Sequence, residues 1–116
     1  MLVTGRVYLG LSVGTGDAIR LLDPDDAMQA IADHLHAQDV DGCTCVLARG
    51  WFLGAPEPAV IVFVSGISAR ALRSFLEWLC VHFNQRCVGW EASKGMVLHS
   101  RTDTAEHAHK ALPPAA

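Results

Sequence analysis

Ala59-Val60-Ile61-Val62-Phe63-Val64-Ser65 decides the reading of this chain. Successive side chains of a strand point to opposite faces, and here both faces are apolar. Such a run predicts a strand covered on both sides at the centre of a sheet. The chain before and after it supplies the rest of that sheet and the helices that cover it.

Immediately upstream, Gly54-Ala55-Pro56-Glu57-Pro58 is expected to be a stiff connection whose two prolines keep it from pairing. Before it, Cys43 to Leu53 alternates as a strand, with Cys43, Cys45 and Leu47 on one face and Thr44, Val46 and Ala48 on the other. Gly50 beside Trp51 and Phe52 suggests a bulge or bend. Downstream, Ser68 is a candidate N-cap. Leu72, Phe75, Leu76, Leu79 and Phe83 follow at helical spacing to about Asn84. Arg86 to Glu91 reads as a strand with Val88 and Trp90 opposite Cys87, Gly89 and Glu91; Ser93-Lys94-Gly95 reads as a turn, and Met96 to His99 as a short return strand.

Toward the N-terminus, Arg6 to Val13 alternates Val7, Leu9, Leu11 and Val13 against Tyr8, Gly10 and Ser12. Gly14-Thr15-Gly16-Asp17 ends it as a turn. The dinucleotide fingerprint fails there, because the third glycine is missing and Asp17 would repel a phosphate. Asp23-Pro24-Asp25-Asp26 starts a helix with a cap, a proline suited to the first turn and acids at the positive end of the dipole. Its stripe is Met28, Ile31, Ala32 and Leu35, ending near Gln38.

The order strand, helix, strand, strand, helix, strand predicts an α+β fold of ferredoxin-like βαββαβ type: a two-layer sandwich with an antiparallel sheet and two helices on one face. One domain is expected over residues 1–99, with 100–116 a poorly ordered tail. The other sheet face is left uncovered by the chain. Its expected occupants are Tyr8, Gly10, Ser12, Val46, Ala48, Ile61 and Phe63, of which Tyr8, Gly10, Ile61 and Phe63 are the candidate dimer residues. Apolar residues make up 51% of the chain and charged residues 18%, below the usual quarter, so a homodimer that hides this face is expected.

Net charge is −3 with basic residues scattered singly, which argues against nucleic-acid binding. No run approaches the roughly 18 apolar residues of a membrane span. No signal peptide is legible in Met1 to Gly16, and four irregularly spaced cysteines suit a reducing cytoplasm. Cys43-x-Cys45 with Cys80, Cys87, His82 or His99 lacks the knuckle spacing of a zinc site, so no metal and no cofactor is expected. His34 and His36 point in different directions on a helix, and His107 and His109 fall in the tail. No catalytic residue is nominated, because triads meet only in the fold and no nucleophile elbow or phosphate loop is present.

Arg49, Trp51, Phe52 and Glu57 form the candidate partner-binding cluster, since Trp and Arg dominate binding hot spots and a stiff hairpin loses little entropy on docking. The alternative is that Trp51 folds back over the sheet edge. Tyr8-Leu9-Gly10-Leu11-Ser12-Val13-Gly14, Trp51-Phe52-Leu53-Gly54, Glu57-Pro58 before a hydrophobic strand, and a helix ending at Gln85 resemble small accessory proteins of phages and mobile elements over residues 6–99. That resemblance implies a non-enzymatic, protein-binding inhibitor of a bacterial defence system, anti-CRISPR-like. The alternative reading is a small-ligand-binding protein or small dimeric ferredoxin-like enzyme using the open sheet face. An acid or histidine on that face would favour this second reading, and a flat apolar face the first.

Overall fold

A computed structural model describes residues 2–14, 18–92 and 95–102, with side chains omitted for 95–98. The elements run β1 (Leu2–Gly10), β2 (Ser12–Val13), β3 (Arg20–Leu21), α1 (Pro24–Ala37), β4 (Cys43–Phe52), β5 (Ala55–Ser68), α2 (Ala69–His82), β6 (Cys87–Ala92) and β7 (Gly95–Ser100). An antiparallel sheet takes the order β4-β5-β1-β6-β7, and β2 pairs β3 in a separate ribbon. The fifth strand and the ribbon depart from a simple βαββαβ order. The described residues therefore form an α+β fold with a five-stranded antiparallel sheet and two helices.

β5 is a central strand, as its doubly apolar sequence requires. Val60, Val62 and Val64 are buried on the helix side with Val7 and Leu9 of β1, while Ile61 and Phe63 lie on the other face. Ile31 and Leu35 of α1 join Phe75, Leu76 and Leu79 of α2 over the valines to make one core. Each helix starts where its cap dictates. The Asp23 carboxylate accepts the Asp26 N–H at 2.9 Å, and the Ser68 hydroxyl accepts the Ala71 N–H at 3.1 Å. The helices are joined through an aromatic stack: Trp78 lies 4.0 Å from the His34 ring and 4.6 Å from the His82 ring. No helix among the described residues is long and apolar enough to cross a membrane.

Three expectations need correction. The first strand does not run from Arg6 to Val13. It spans Leu2–Gly10, breaks at Leu11, and hands Ser12 and Val13 to the ribbon with Leu21 and Arg20. The prolines do not keep 54–58 out of the sheet. β5 begins at Ala55, and Pro56 and Pro58 stand opposite Trp51 and Arg49. The Pro58 carbonyl accepts the Leu11 N–H at 2.9 Å, so the backbone of Pro58 faces away from β4 and its missing N–H breaks no bond of the β4 ladder. Pro56 has the same parity. The turn shrinks to Leu53 and Gly54, whose φ angles of 52° and 81° suit a tight hairpin. Third, α1 buries Ala27 with Ile31 and Leu35, while Met28 is only partly buried. The expected turns at Gly14-Thr15-Gly16-Asp17 and Ser93-Lys94-Gly95 and the tail with His107 and His109 fall wholly or largely outside the described residues.

Candidate functional site

The open face is built by alternation. β1 places Arg6, Tyr8 and Gly10 on it. β5 places Ile61 opposite Tyr8 and Phe63 opposite Arg6, and β4 adds Thr44, Val46 and Ala48 in register with Phe63, Ile61 and Ala59. β6 contributes Glu91 opposite Arg6 and Gly89 opposite Tyr8, with Cys87 of the same parity. The face is divided. Val46, Ile61 and Phe63 make an apolar half, and β1 with β6 makes a polar half.

Two carboxylates lie on the polar half. Glu91 Oε1 accepts a hydrogen bond from the Tyr8 hydroxyl at 2.9 Å and stands 3.3 Å from Arg6 Nε. Burial, then the hydrogen bond to Glu91 and its charge, push the Tyr8 phenol above its usual value, so it stays a neutral donor rather than a base. The Arg6 guanidinium also sits 5.8 Å from the centre of the Phe63 ring, linking the two halves.

The second carboxylate is Glu57. Its side chain lies flat on the sheet over Gly10 and accepts the Ser12 backbone N–H at 3.2 Å. A Cβ on residue 10 would stand 2.5 Å from Glu57 Oε1, so the glycine is what admits the carboxylate. Gln85 closes the same end, donating to the Ser12 carbonyl at 3.4 Å. The Cys87 thiol is raised by burial, and the Glu57 charge adds to that against the opposing pull of Arg86. It is a thiol here and not a nucleophilic thiolate. Tyr8 and Gly10 are two residues apart on one strand, which sets the Tyr8–Glu91 pair and the Glu57 carboxylate roughly 7 Å apart in origin.

The arrangement can hold a small cationic ligand between two acids, with an aromatic ring and a phenol hydroxyl beside it. It offers no activated nucleophile. No group of three or more His, Cys, Asp or Glu that could hold a metal occurs among the described residues.

The expected partner-binding cluster is split by the fold. Arg49 and Trp51 stay together, with the guanidinium 6.0 Å from the indole, and Trp51 is 68% exposed rather than folded back over the edge. Phe52 is exposed beside them at the hairpin end. Glu57 leaves the cluster and joins the open face, because it stands opposite Gly50 and its side chain has the parity of Ala59. Of the expected open-face set, Tyr8, Gly10, Ile61 and Phe63 are brought together as the pattern required, whereas Ser12 contributes its backbone N–H from the ribbon. Glu91 and Arg6 were not nominated from sequence. The strand parity that puts Glu91 with Cys87 and Gly89 carried the signal for Glu91. Only the pairing of β6 with β1 shows that this is the face of Tyr8.

No family model matches the chain, and no curated protein matches it. Among solved structures, it resembles a phage SAM lyase in the apo state at a TM-score of 0.65 and 18% identity, covering 85% of this chain and 89% of that one. It resembles a phage SAM lyase in complex with S-methyl-5'-thioadenosine at 0.65 and 17%, with the same coverage. At this identity the likeness is one of fold. The expectation of a non-enzymatic, anti-CRISPR-like binding protein is not supported: both of these solved structures are of a phage SAM lyase, and the open face carries acids beside its apolar half.

Proposed function

We propose that the chain is a small enzyme acting on S-adenosylmethionine at the polar half of the open sheet face. The observation that carries this reading is the pair of carboxylates, Glu57 and Glu91, set beside the Tyr8 phenol on the face the helices leave bare. The fold it shares with a phage SAM lyase supports the choice of substrate. So does the charge, since S-adenosylmethionine is a sulfonium with an ammonium group, and both cations suit carboxylates.

The chemistry asks little of the protein. Release of S-methyl-5'-thioadenosine breaks the bond between sulfur and the γ-carbon of the amino-acid arm. The electron pair goes to sulfur and cancels its charge. The γ-carbon is closed by the substrate's own carboxylate oxygen, giving a lactone with no water consumed. A site without a nucleophile can run this reaction by folding the arm so that carboxylate and γ-carbon meet, which is catalysis by proximity. Glu57 and Glu91 bind the ammonium and the sulfonium, and Tyr8 orients Glu91. The four strands β4-β5-β1-β6 support a ferredoxin-like core to which β7 and the ribbon are additions. The four free thiols support a cytoplasmic setting.

The test is chromatography of S-adenosylmethionine incubated with the purified protein. S-methyl-5'-thioadenosine and a lactone are expected, with Glu57→Gln and Glu91→Gln each losing at least about tenfold in rate while staying folded, as for removal of one electrostatic group. A folded wild-type protein that neither releases S-methyl-5'-thioadenosine nor binds S-adenosylmethionine by calorimetry overturns the proposal.

A further inference from the structure

The polar half of the open face sets a cation directly beside an anion. Arg6 and Glu91 are register partners on β1 and β6, with Arg6 Nε 3.3 Å from Glu91 Oε1. The Tyr8 hydroxyl holds Glu91 from a second side at 2.9 Å. Both members of the pair are within reach of a ligand, since the Arg6 side chain is 50% exposed and that of Glu91 32%. Among the described residues of this face Arg6 is the only cation. Glu57 lies farther along β1, over Gly10, and has no ion-pair partner among the described residues. We infer that Arg6 and Glu91 together clamp the zwitterionic head of an α-amino acid, Arg6 taking the carboxylate and Glu91 the ammonium. This rests on the proposed S-adenosylmethionine chemistry and names the residues that hold the reacting arm.

The charge pattern decides the ligand. An α-amino acid carries both its charges on one carbon, so a site for it needs a base and an acid side by side. An exposed ion pair adds little to stability, so packing gives no reason for this one. The guanidinium has five N–H donors in a planar fork that matches a carboxylate, more than its Nε contact with Glu91 uses. With the head on Arg6 and Glu91, the sulfonium falls to Glu57. Gly10, beneath Glu57, is two residues from Tyr8, roughly 7 Å along the strand. Four bonds join nitrogen to sulfur in the arm, a length that fits once each cation stands a contact distance from its acid.

Arg6 then takes part in the reaction. By holding one oxygen of the substrate carboxylate it aims the other at the γ-carbon. The bond from that oxygen to the γ-carbon forms, and the bond from the γ-carbon to sulfur breaks with its electron pair left on sulfur. The carboxylate and sulfonium charges cancel, and no proton moves. The lactone has no carboxylate left for Arg6 to hold, which favours its release.

The test is calorimetry of the full chain with two ligands. Sinefungin keeps the amino-acid head and replaces the sulfonium by an amine-bearing carbon that cannot leave. Decarboxylated S-adenosylmethionine keeps the sulfonium and the ammonium but lacks the carboxylate. Arg6→Gln is expected to weaken sinefungin at least about tenfold, as loss of a hydrogen bond to a charged group does, and to leave decarboxylated S-adenosylmethionine unchanged. Glu91→Gln should weaken both. Arg6→Lys, which keeps the charge without the planar fork, should give an intermediate loss, and it is the variant to read if circular dichroism shows Arg6→Gln unfolded. Failure of the wild-type chain to bind sinefungin overturns the inference. So does equal sinefungin affinity in the Arg6 variants, or an equal loss for both ligands, the mark of a structural role. Cleavage of S-adenosylmethionine with affinities indifferent to Arg6 removes this inference alone. Sinefungin held through Arg6 with no cleavage removes the proposed enzymatic activity and keeps the clamp.

Discussion

Gly10 shows how one residue can set a site. A glycine inside a strand costs about 0.5–1 kcal/mol relative to alanine; at Gly10, the last residue of β1, the return is room for a carboxylate. Glu57 lies where a side chain on residue 10 would be, and its bond to the Ser12 N–H pins the start of the ribbon to β5. Gly10→Ala is therefore expected to drive Glu57 off the sheet and to lower S-methyl-5'-thioadenosine release at least as much as Glu57→Gln. Kinetics beside a melting curve check this, and a folded Gly10→Ala protein with full activity would remove Glu57 from the site. His34 is the second instructive residue. Burial, with His82 nearby, lowers its pKa in the folded chain below the ordinary 6.5, and its Nε2 is buried without a hydrogen-bond partner among the described groups. The unfolded chain then binds the proton more readily, so stability is full above the unfolded value and falls as pH drops below it. Melting temperature should decline from pH 7.5 to pH 5.5, and His34→Gln should flatten that decline; an equal slope in the variant would place the sensitive group elsewhere.

At the level of elements, α2 depends on Ser68. Its hydroxyl satisfies the Ala71 N–H, and no acid in the first turn compensates. In α1 the Asp23 cap is reinforced by Asp25 and Asp26 against the positive end of the dipole. Ser68→Ala is thus expected to cost about 1 kcal/mol by chemical denaturation, with an unchanged denaturant slope, and the larger core face carried by α2 makes the whole fold share that cost. A loss under about 0.3 kcal/mol would mean another group takes over the cap. The β4–β5 hairpin teaches a different lesson. Proline is excluded from a ladder only where its nitrogen faces the neighbour, and Pro56 and Pro58 face away from β4.

For the whole molecule, the apolar half of the open face remains uncovered. Val46 is 43% and Phe63 40% exposed, with Ile61 between them. Soluble monomers seldom leave such a patch in water. We predict that the chain self-associates through this half-face, giving a mass by light scattering that exceeds 12.5 kDa at micromolar concentration. Phe63→Asp should return it to monomer without unfolding it, because Phe63 is outside the helix-covered core. A monomeric wild-type chain, or a folded variant that stays associated, would refute this interface.

Local chemistry settled much of this protein before any long-range contact. The two caps, the apolar stripe of α2, the doubly apolar run at 59–65 and the parity of Cys43, Cys45 and Leu47 against Thr44, Val46 and Ala48 are all written in adjacent residues, because period and capping are short-range effects. The open face followed from helix count and strand parity alone. Tertiary structure decided where the charges on that face meet. Glu57 reads as part of a hairpin end until β5 extends back to Ala55 and turns it over Gly10. Glu91 reads as a strand residue until β6 pairs with β1 and brings it within 2.9 Å of Tyr8, 83 positions earlier. A carboxylate's role depends on what faces it across the sheet, and register between distant strands is set by the packed core, which no window of local sequence contains.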